Sequence, residues 1–305
     1  MTMKWAGVMP AITTGFDSDL RIDHEFVAKH VDWLVDNGCT GIVTPGSLGE
    51  SATLTFAEKE SLWKTVIDTV GDRVPVVAAI ASLSTAEAVA LAKSANEHGC
   101  QGLMVLPPYV YKSDWREMKA HVDEVFRATN LSCMLYNNPV AYGTDYLPDQ
   151  IAELSKEHEN FHAVKESSTD ARRVTWIREL LGDRLAVFVG VDDAIVEAIA
   201  VGAVGWVAGL VNALPKESVD LFNYAMNGER EKAIALYNWF LPLLRMDTVP
   251  KFVQLIKLVQ REVGMGNALV RPPRLELAGA ELDEALQVIR HALANRPELE
   301  ASAAR

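Results

Sequence analysis

The chain has 305 residues, 49% of them hydrophobic, which is enough for one large barrel or two ordinary domains around a sizeable core. Its 29 Lys and Arg stand against 41 Asp and Glu, a formal −12. With no basic stripe it repels polyphosphate, which excludes nucleic acid as a partner.

The first 19 residues hold a short apolar run broken by Pro10 and closed by Asp17, too short and too interrupted for a signal peptide. No stretch approaches the roughly 18 apolar residues of a membrane span. The three cysteines, Cys39, Cys100 and Cys133, lack C-x-x-C spacing, so the sequence predicts a reducing compartment with neither a disulfide frame nor a zinc site. A cytoplasmic protein with no membrane partner is expected.

Short β-branched apolar runs recur at residues 7–12, 41–44, 74–80, 102–106, 133–136, 162–165, 186–189 and 203–208. Each is followed by a turn signal and then a helical pattern. At residues 23–35, Phe26, Val27, His30, Val31 and Leu34 share one face and Asp23, Glu25, Lys29 and Asp36 the other. At 85–95, Ser84 stands as N-cap with Glu87 three residues on, the capping-box spacing. Eight such units predict an α/β fold, a (β/α)₈ TIM barrel with a C-terminal helical extension, rather than a doubly wound sheet. After the eighth strand the period stays helical at 216–226, 229–244, 249–263 and 283–295. The division expected is therefore a barrel over residues 1–212 and an extension over 213–305, packed on the barrel through faces such as Leu236, Trp239, Phe240 and Leu243. Residues 296–305 are polar and Ala-rich, an expected frayed end.

In such a barrel the chemistry sits at the C-terminal ends of the strands. Lys165 ends the sixth strand, in HAVKESS, where alternation sends either Val164 or the flanking Ala163 and Lys165 inward. An inward lysine suits Schiff-base chemistry, because desolvation lowers its pKa; a lysine that snorkels or pairs with Glu166 is the structural alternative. Tyr136 ends the fifth strand, in MLYNNPVAYG, as either a packed aromatic or a phenol that moves protons. The loop Thr44-Pro45-Gly46-Ser47-Leu48-Gly49-Glu50-Ser51 follows the second strand. Its two glycines allow a backbone nest for a carboxylate, or else merely a tight turn. Glu50 is expected to anchor the loop, since beside an anionic ligand it would repel it.

Taken together, GSLGES after strand two, YNNP after strand five and VKESS after strand six resemble the dihydrodipicolinate synthase and N-acetylneuraminate lyase family of class I aldolases. The resemblance runs from GVMPAITTGF to RPPRLEL. It implies a barrel with a helical extension, usually a homotetramer, that binds a small-molecule 2-oxo acid as a Schiff base with no metal and no other cofactor. By this resemblance Lys165 is the Schiff-base lysine and Tyr136 the proton-shuttling phenol. Ser47 and the Leu48 backbone hold the substrate carboxylate, and Gly46, Asn138 and Val207 complete the expected substrate-binding set.

Three positions depart from the synthases. Leu48 stands where they have a second hydroxyl, Val110 where a neighbouring subunit's tyrosine completes their relay, and Ala141 where an arginine holds a second carboxylate. YNNPVAYGTD, KESSTDARR, GVDD and GWVAGLVNALPKE look most like the branch that deaminates 1-pyrroline-4-hydroxy-2-carboxylate in hydroxyproline catabolism. A 2-keto-3-deoxy sugar-acid dehydratase or aldolase, a dihydrodipicolinate synthase and a non-catalytic 2-oxo-acid sensor remain as alternatives. Arg172 or Arg173 is a possible substitute for the missing arginine.

Overall fold

The computed structural model describes residues 3–109 and 111–298. Eight parallel strands follow one another: β1 (Gly7–Pro10), β2 (Ile42–Thr44), β3 (Val76–Ile80), β4 (Gly102–Val105), β5 (Ser132–Asn137), β6 (Phe161–Glu166), β7 (Ala186–Val189) and β8 (Gly205–Ala208). Their order, β1-β8-β7-β6-β5-β4-β3-β2, leaves a single seam between β1 and β2. The seam is drawn shut by an Ala11–Val43 bridge, by the Thr40 N–H donating to the Val8 carbonyl at 2.8 Å and by the Ile12 N–H donating to the Val43 carbonyl at 3.0 Å. The molecule is a (β/α)₈ TIM barrel, as the spacing of the apolar runs predicts.

Strands β3 and β8 begin two residues later than their apolar runs because the first residues still close the preceding helix. The Val74 N–H bonds the Val70 carbonyl, and the Ala203 N–H bonds the Ala198 carbonyl. Among the helices, His24–Asp36 buries Val27, His30, Val31 and Leu34, the face read from the sequence. Ser84 caps Thr85–Glu97 by accepting the Glu87 N–H at 3.2 Å. The reciprocal half of that box is not made, because the Glu87 carboxylate takes the Ser82 hydroxyl instead.

Alternation along the strands separates two cores. Met9, Val43, Val77, Ala79, Met104, Met134, Tyr136, Ala163, Phe188 and Val207 fill the barrel, while the other strand faces pack against the helices. On β6 this puts Ala163 inside and Val164 outside, and so sends Lys165 inward. Pro215–Met226 follows β8 in the place of the ring's eighth helix, and Arg230–Leu244, Phe252–Glu262 and Gly279–Ala294 follow it. Phe240, Leu243, Ile256, Val259 and Ile289 from these last three join the same apolar cluster as the barrel helices. Arg296, expected in a frayed end, pairs with the buried Glu217; residues 299–305 lie outside the described part. The cysteines are free and buried. Among the described residues no helix is long and apolar enough to cross a membrane.

Candidate active site at the strand ends

A cavity of about 510 Å³ opens at the C-terminal ends of the strands. Gly46, Ser47, Leu48, Tyr136, Asn138, Lys165 and Val207, the whole set singled out from the sequence, line this one cavity. Val110 lies outside the described residues.

Lys165 is 6% exposed. Its Nζ sits 4.2 Å from the centre of the Tyr136 ring, on the strand that pairs Lys165 directly with Tyr136. It does not pair with Glu166, which faces the other way and accepts from Asn137 Nδ2 at 3.1 Å and from the Ser168 N–H at 2.7 Å. Burial pulls the Lys165 amine down to about 8, against the opposing charges of Asp247 and Asp192. Gly190 makes room for this chain, since a methyl group there would overlap both Lys165 Cε and Ser167 Oγ. Among the described residues the buried Ser167 hydroxyl has no hydrogen-bond partner of good geometry.

Tyr136 has its hydroxyl fixed by Asn138, whose Nδ2 donates to it at 3.1 Å. Asn138 is held in turn because its Oδ1 caps the one-turn helix Pro139–Tyr142, accepting the Ala141 N–H at 2.9 Å. That turn delivers Tyr142, a residue the sequence reading passed over within YNNPVAYG. The Tyr142 ring stands edge-on to Tyr136 with 5.7 Å between centroids, and its hydroxyl forms a very short bond with Ser47 Oγ. Ser47 and Tyr142 thus bridge the loop after β2 to the loop after β5. Burial raises the Tyr136 phenol above its ordinary range, with Asn138 opposing the rise.

The loop after β2 differs from expectation in how it turns. Gly46 and Gly49 both keep negative φ, and the left-handed residue is Glu50, at φ 58°. Gly49 is needed instead for a close approach to the Ile12 carbonyl. Glu50 anchors the loop: its carboxylate accepts from Lys257 Nζ at 2.6 Å and from the Arg271 N–H at 2.9 Å, both in the helical extension. Among the described residues no acceptor takes the Ser47 and Leu48 N–H groups, which leaves two donors beside the Ser47 hydroxyl.

A further part of the wall comes from the extension, through Asp247, Thr248, Val249, Phe252 and Arg274. None of these was singled out from the sequence as a site residue; Phe252 was read only as part of an apolar packing face. Arg172 and Arg173 do not line the cavity: Arg172 pairs with Asp170, and Arg173 grips Asp145 with two bonds of 2.6 and 2.7 Å. Arg274 is the guanidinium among the lining residues.

The dihydrodipicolinate synthetase family model matches residues 4–292. The chain belongs to that family. Members of the dihydrodipicolinate synthetase family are class I, aldolase-type lyases that form Schiff bases and bind small keto acids such as pyruvate. A 4-hydroxy-tetrahydrodipicolinate synthase of Acidothermus cellulolyticus is 33% identical over 275 residues, covering 90% of this chain and 88% of that one. Among solved structures, dihydrodipicolinate synthase DapA-2 from Bacillus anthracis superposes with a TM-score of 0.90 at 32% identity, over 95% of this chain and 99% of that one. A dihydrodipicolinate synthase from Acinetobacter baumannii, solved with pyruvate, superposes with a TM-score of 0.88 at 26% identity, over 94% and 99%.

Proposed function

We propose that Lys165 forms a Schiff base with a small 2-oxo-acid-type substrate, and that this substrate is 1-pyrroline-4-hydroxy-2-carboxylate, deaminated and dehydrated to 2-oxoglutarate semialdehyde. The observation that carries the substrate is the rim made by the loops after β2 and β5. Leu48, Val140 and Ala141 line it, without the hydroxyl and the arginine that the family resemblance places at Leu48 and Ala141 in the synthases. An apolar rim favours a small ring and offers no partner to a second carboxylate, whose unpaired desolvation costs several kcal/mol.

In this reading the Ser47 and Leu48 N–H groups and the Ser47 hydroxyl hold the single carboxylate. Neutral Lys165 adds to the ring imine and displaces the ring nitrogen by transimination. The resulting iminium draws electrons, so a proton on the adjacent carbon becomes acidic and the 4-hydroxyl leaves as water. Hydrolysis with loss of ammonia then releases the semialdehyde. Tyr136, steadied by Asn138, moves a proton to the departing 4-hydroxyl, and Val207 lines the pocket.

A second reading, condensation of pyruvate with aspartate semialdehyde, is favoured by the names of the relatives above and by Arg274 in the cavity wall. Parallel assays separate the two. The proposed reading expects ammonia release from the pyrroline well above a Lys165→Ala blank and negligible condensation in a coupled assay. Efficient condensation, or ammonia release no faster than the blank, would overturn it in favour of the second. A homotetramer, typical of the family, is the expected assembly, read by sedimentation as four chain masses.

A further inference from the structure

Two carboxyl groups act on the Lys165 amine, and their surroundings differ. Asp192, just after β7, is fully buried. It accepts from Trp206 Nε1 at 2.9 Å, from the Gly209 N–H at 3.1 Å and from the Leu210 N–H at 2.7 Å. Three donors suit a carboxylate. Asp247 comes from the short turn Arg245–Asp247 that follows Arg230–Leu244, and it enters the cavity from the extension. Its carboxyl accepts no hydrogen bond among the described residues. It lies flat against Gly209, where any side chain would overlap Asp247 Oδ1.

The groups that act on Asp247 come from every side. Asp192 and Asp193 lie on the turn after β7, Lys165 on β6 and Tyr136 on β5. Arg245 leans instead toward Asp193, at 3.8 Å, and Arg274 lines the same cavity. Burial, with the charge of Asp192 added, drives the Asp247 carboxyl far above the usual carboxylate range, against the pull of Lys165. The site therefore offers a carboxyl with no hydrogen-bond donor among the described residues, in the same cavity as a lysine whose amine is itself eased toward neutrality.

We propose that Asp247 is a catalytic acid that delivers a proton to the group leaving the carbon bonded to Lys165. The balance closes for either kind of substrate. When Nζ adds to a ring imine, the C=N pair moves to the ring nitrogen, which takes a proton from Asp247. As the C–N bond breaks, the second proton of the departing amine comes from Nζ, whose lone pair forms the new C=N bond. With an ordinary 2-oxo acid, the carbonyl oxygen takes the same two protons, the first giving the carbinolamine hydroxyl and the second letting it leave as water. In both cases a neutral amine and a neutral acid become an iminium and a carboxylate, and the new anion faces the new cation across the cavity.

The ring-opening version rests on the substrate reading above, but the pyruvate version does not, so pyruvate is the probe. Single-turnover imine formation with pyruvate is quenched with borohydride and followed by intact mass, for the wild type, Asp247→Asn and Asp247→Ser, across pH 6 to 10. Asp247 makes no hydrogen bond among the described residues and lines the cavity, so neither substitution breaks a hydrogen bond, and both keep a polar side chain beside Gly209. The expected result is a plateau rate about 10²-fold lower in both variants at every pH, the worth of a positioned acid. A plateau within threefold of wild type, with only the midpoint of its pH profile displaced, would reduce Asp247 to a charge that tunes Lys165 and overturn the proposal. An adduct on the wild type without turnover of the pyrroline would overturn the substrate reading alone. Absence of any wild-type adduct would overturn both.

Discussion

At the scale of the residue, Lys165 makes a sharp statement about pH. A buried amine pulled down to about 8 is mostly protonated at neutral pH, and only its neutral form attacks a carbon. The sign follows directly: as pH rises through about 8 the neutral fraction grows, so imine formation with pyruvate climbs along the acid limb and levels above it. An ordinary exposed lysine would place that limb more than two units higher. Rapid-quench measurement of adduct against pH checks this, and a limb centred near 10.5 would show that burial does not govern the amine. Lys165→Ala abolishes the adduct while the fold persists, because the vacated space opens onto a cavity rather than a packed core. Residual turnover within about tenfold of wild type, a barrier change of only about 1.4 kcal/mol, would remove Lys165 from the chemistry.

At the scale of the element, the loop after β2 is held by the extension rather than by the barrel. Lys257 on Phe252–Glu262 is 2% exposed, contacts Glu50 at 2.6 Å and also donates to the Leu269 carbonyl at 2.7 Å. Glu50→Gln leaves that ammonium buried and uncompensated, which costs about 3–5 kcal/mol and loosens the donors at Ser47 and Leu48. Denaturant titration and the apparent affinity for pyruvate should both weaken, and the double variant with Lys257→Met should recover part of the stability. A loss below about 1 kcal/mol would mean that backbone packing alone fixes the loop. The anchoring role of Glu50 was legible in sequence, because an acid beside an anion site needs another reason to be there. Its partners were not, since nothing local links residue 50 to residue 257. Lys165 was legible through strand alternation, and Tyr136 through its place at a strand end. Tyr142 escaped because its position depends on a single helical turn capped by Asn138. Asp247 escaped because it sits in a turn between helices whose only pattern is apolar periodicity, so tertiary packing alone brings it to the lysine.

At the scale of the whole molecule, barrel and extension share one core and one cavity, and this decides how they unfold. Phe240, Leu243, Ile256, Val259 and Ile289 belong to the same buried cluster as Val31, Leu62, Leu91 and Val122 from the barrel helices. The Thr13 hydroxyl donates to Gln260 Oε1 at 2.8 Å, and Arg296 pairs with Glu217. Detaching the extension would expose that apolar surface at about 25 cal/mol per Å² and break the buried Lys257–Glu50 pair. The extension should therefore not open ahead of the barrel. Native-state hydrogen exchange read by mass spectrometry tests this, with Phe252–Glu262 and β6 expected to share an opening free energy within about 1 kcal/mol. Exchange in Phe252–Glu262 at a clearly lower free energy, with β6 still protected, would make the extension a separate unit. Asp247 would then be free to leave the lysine without unfolding the barrel, and the chemistry at the strand ends would depend on a docking equilibrium rather than on a single fold.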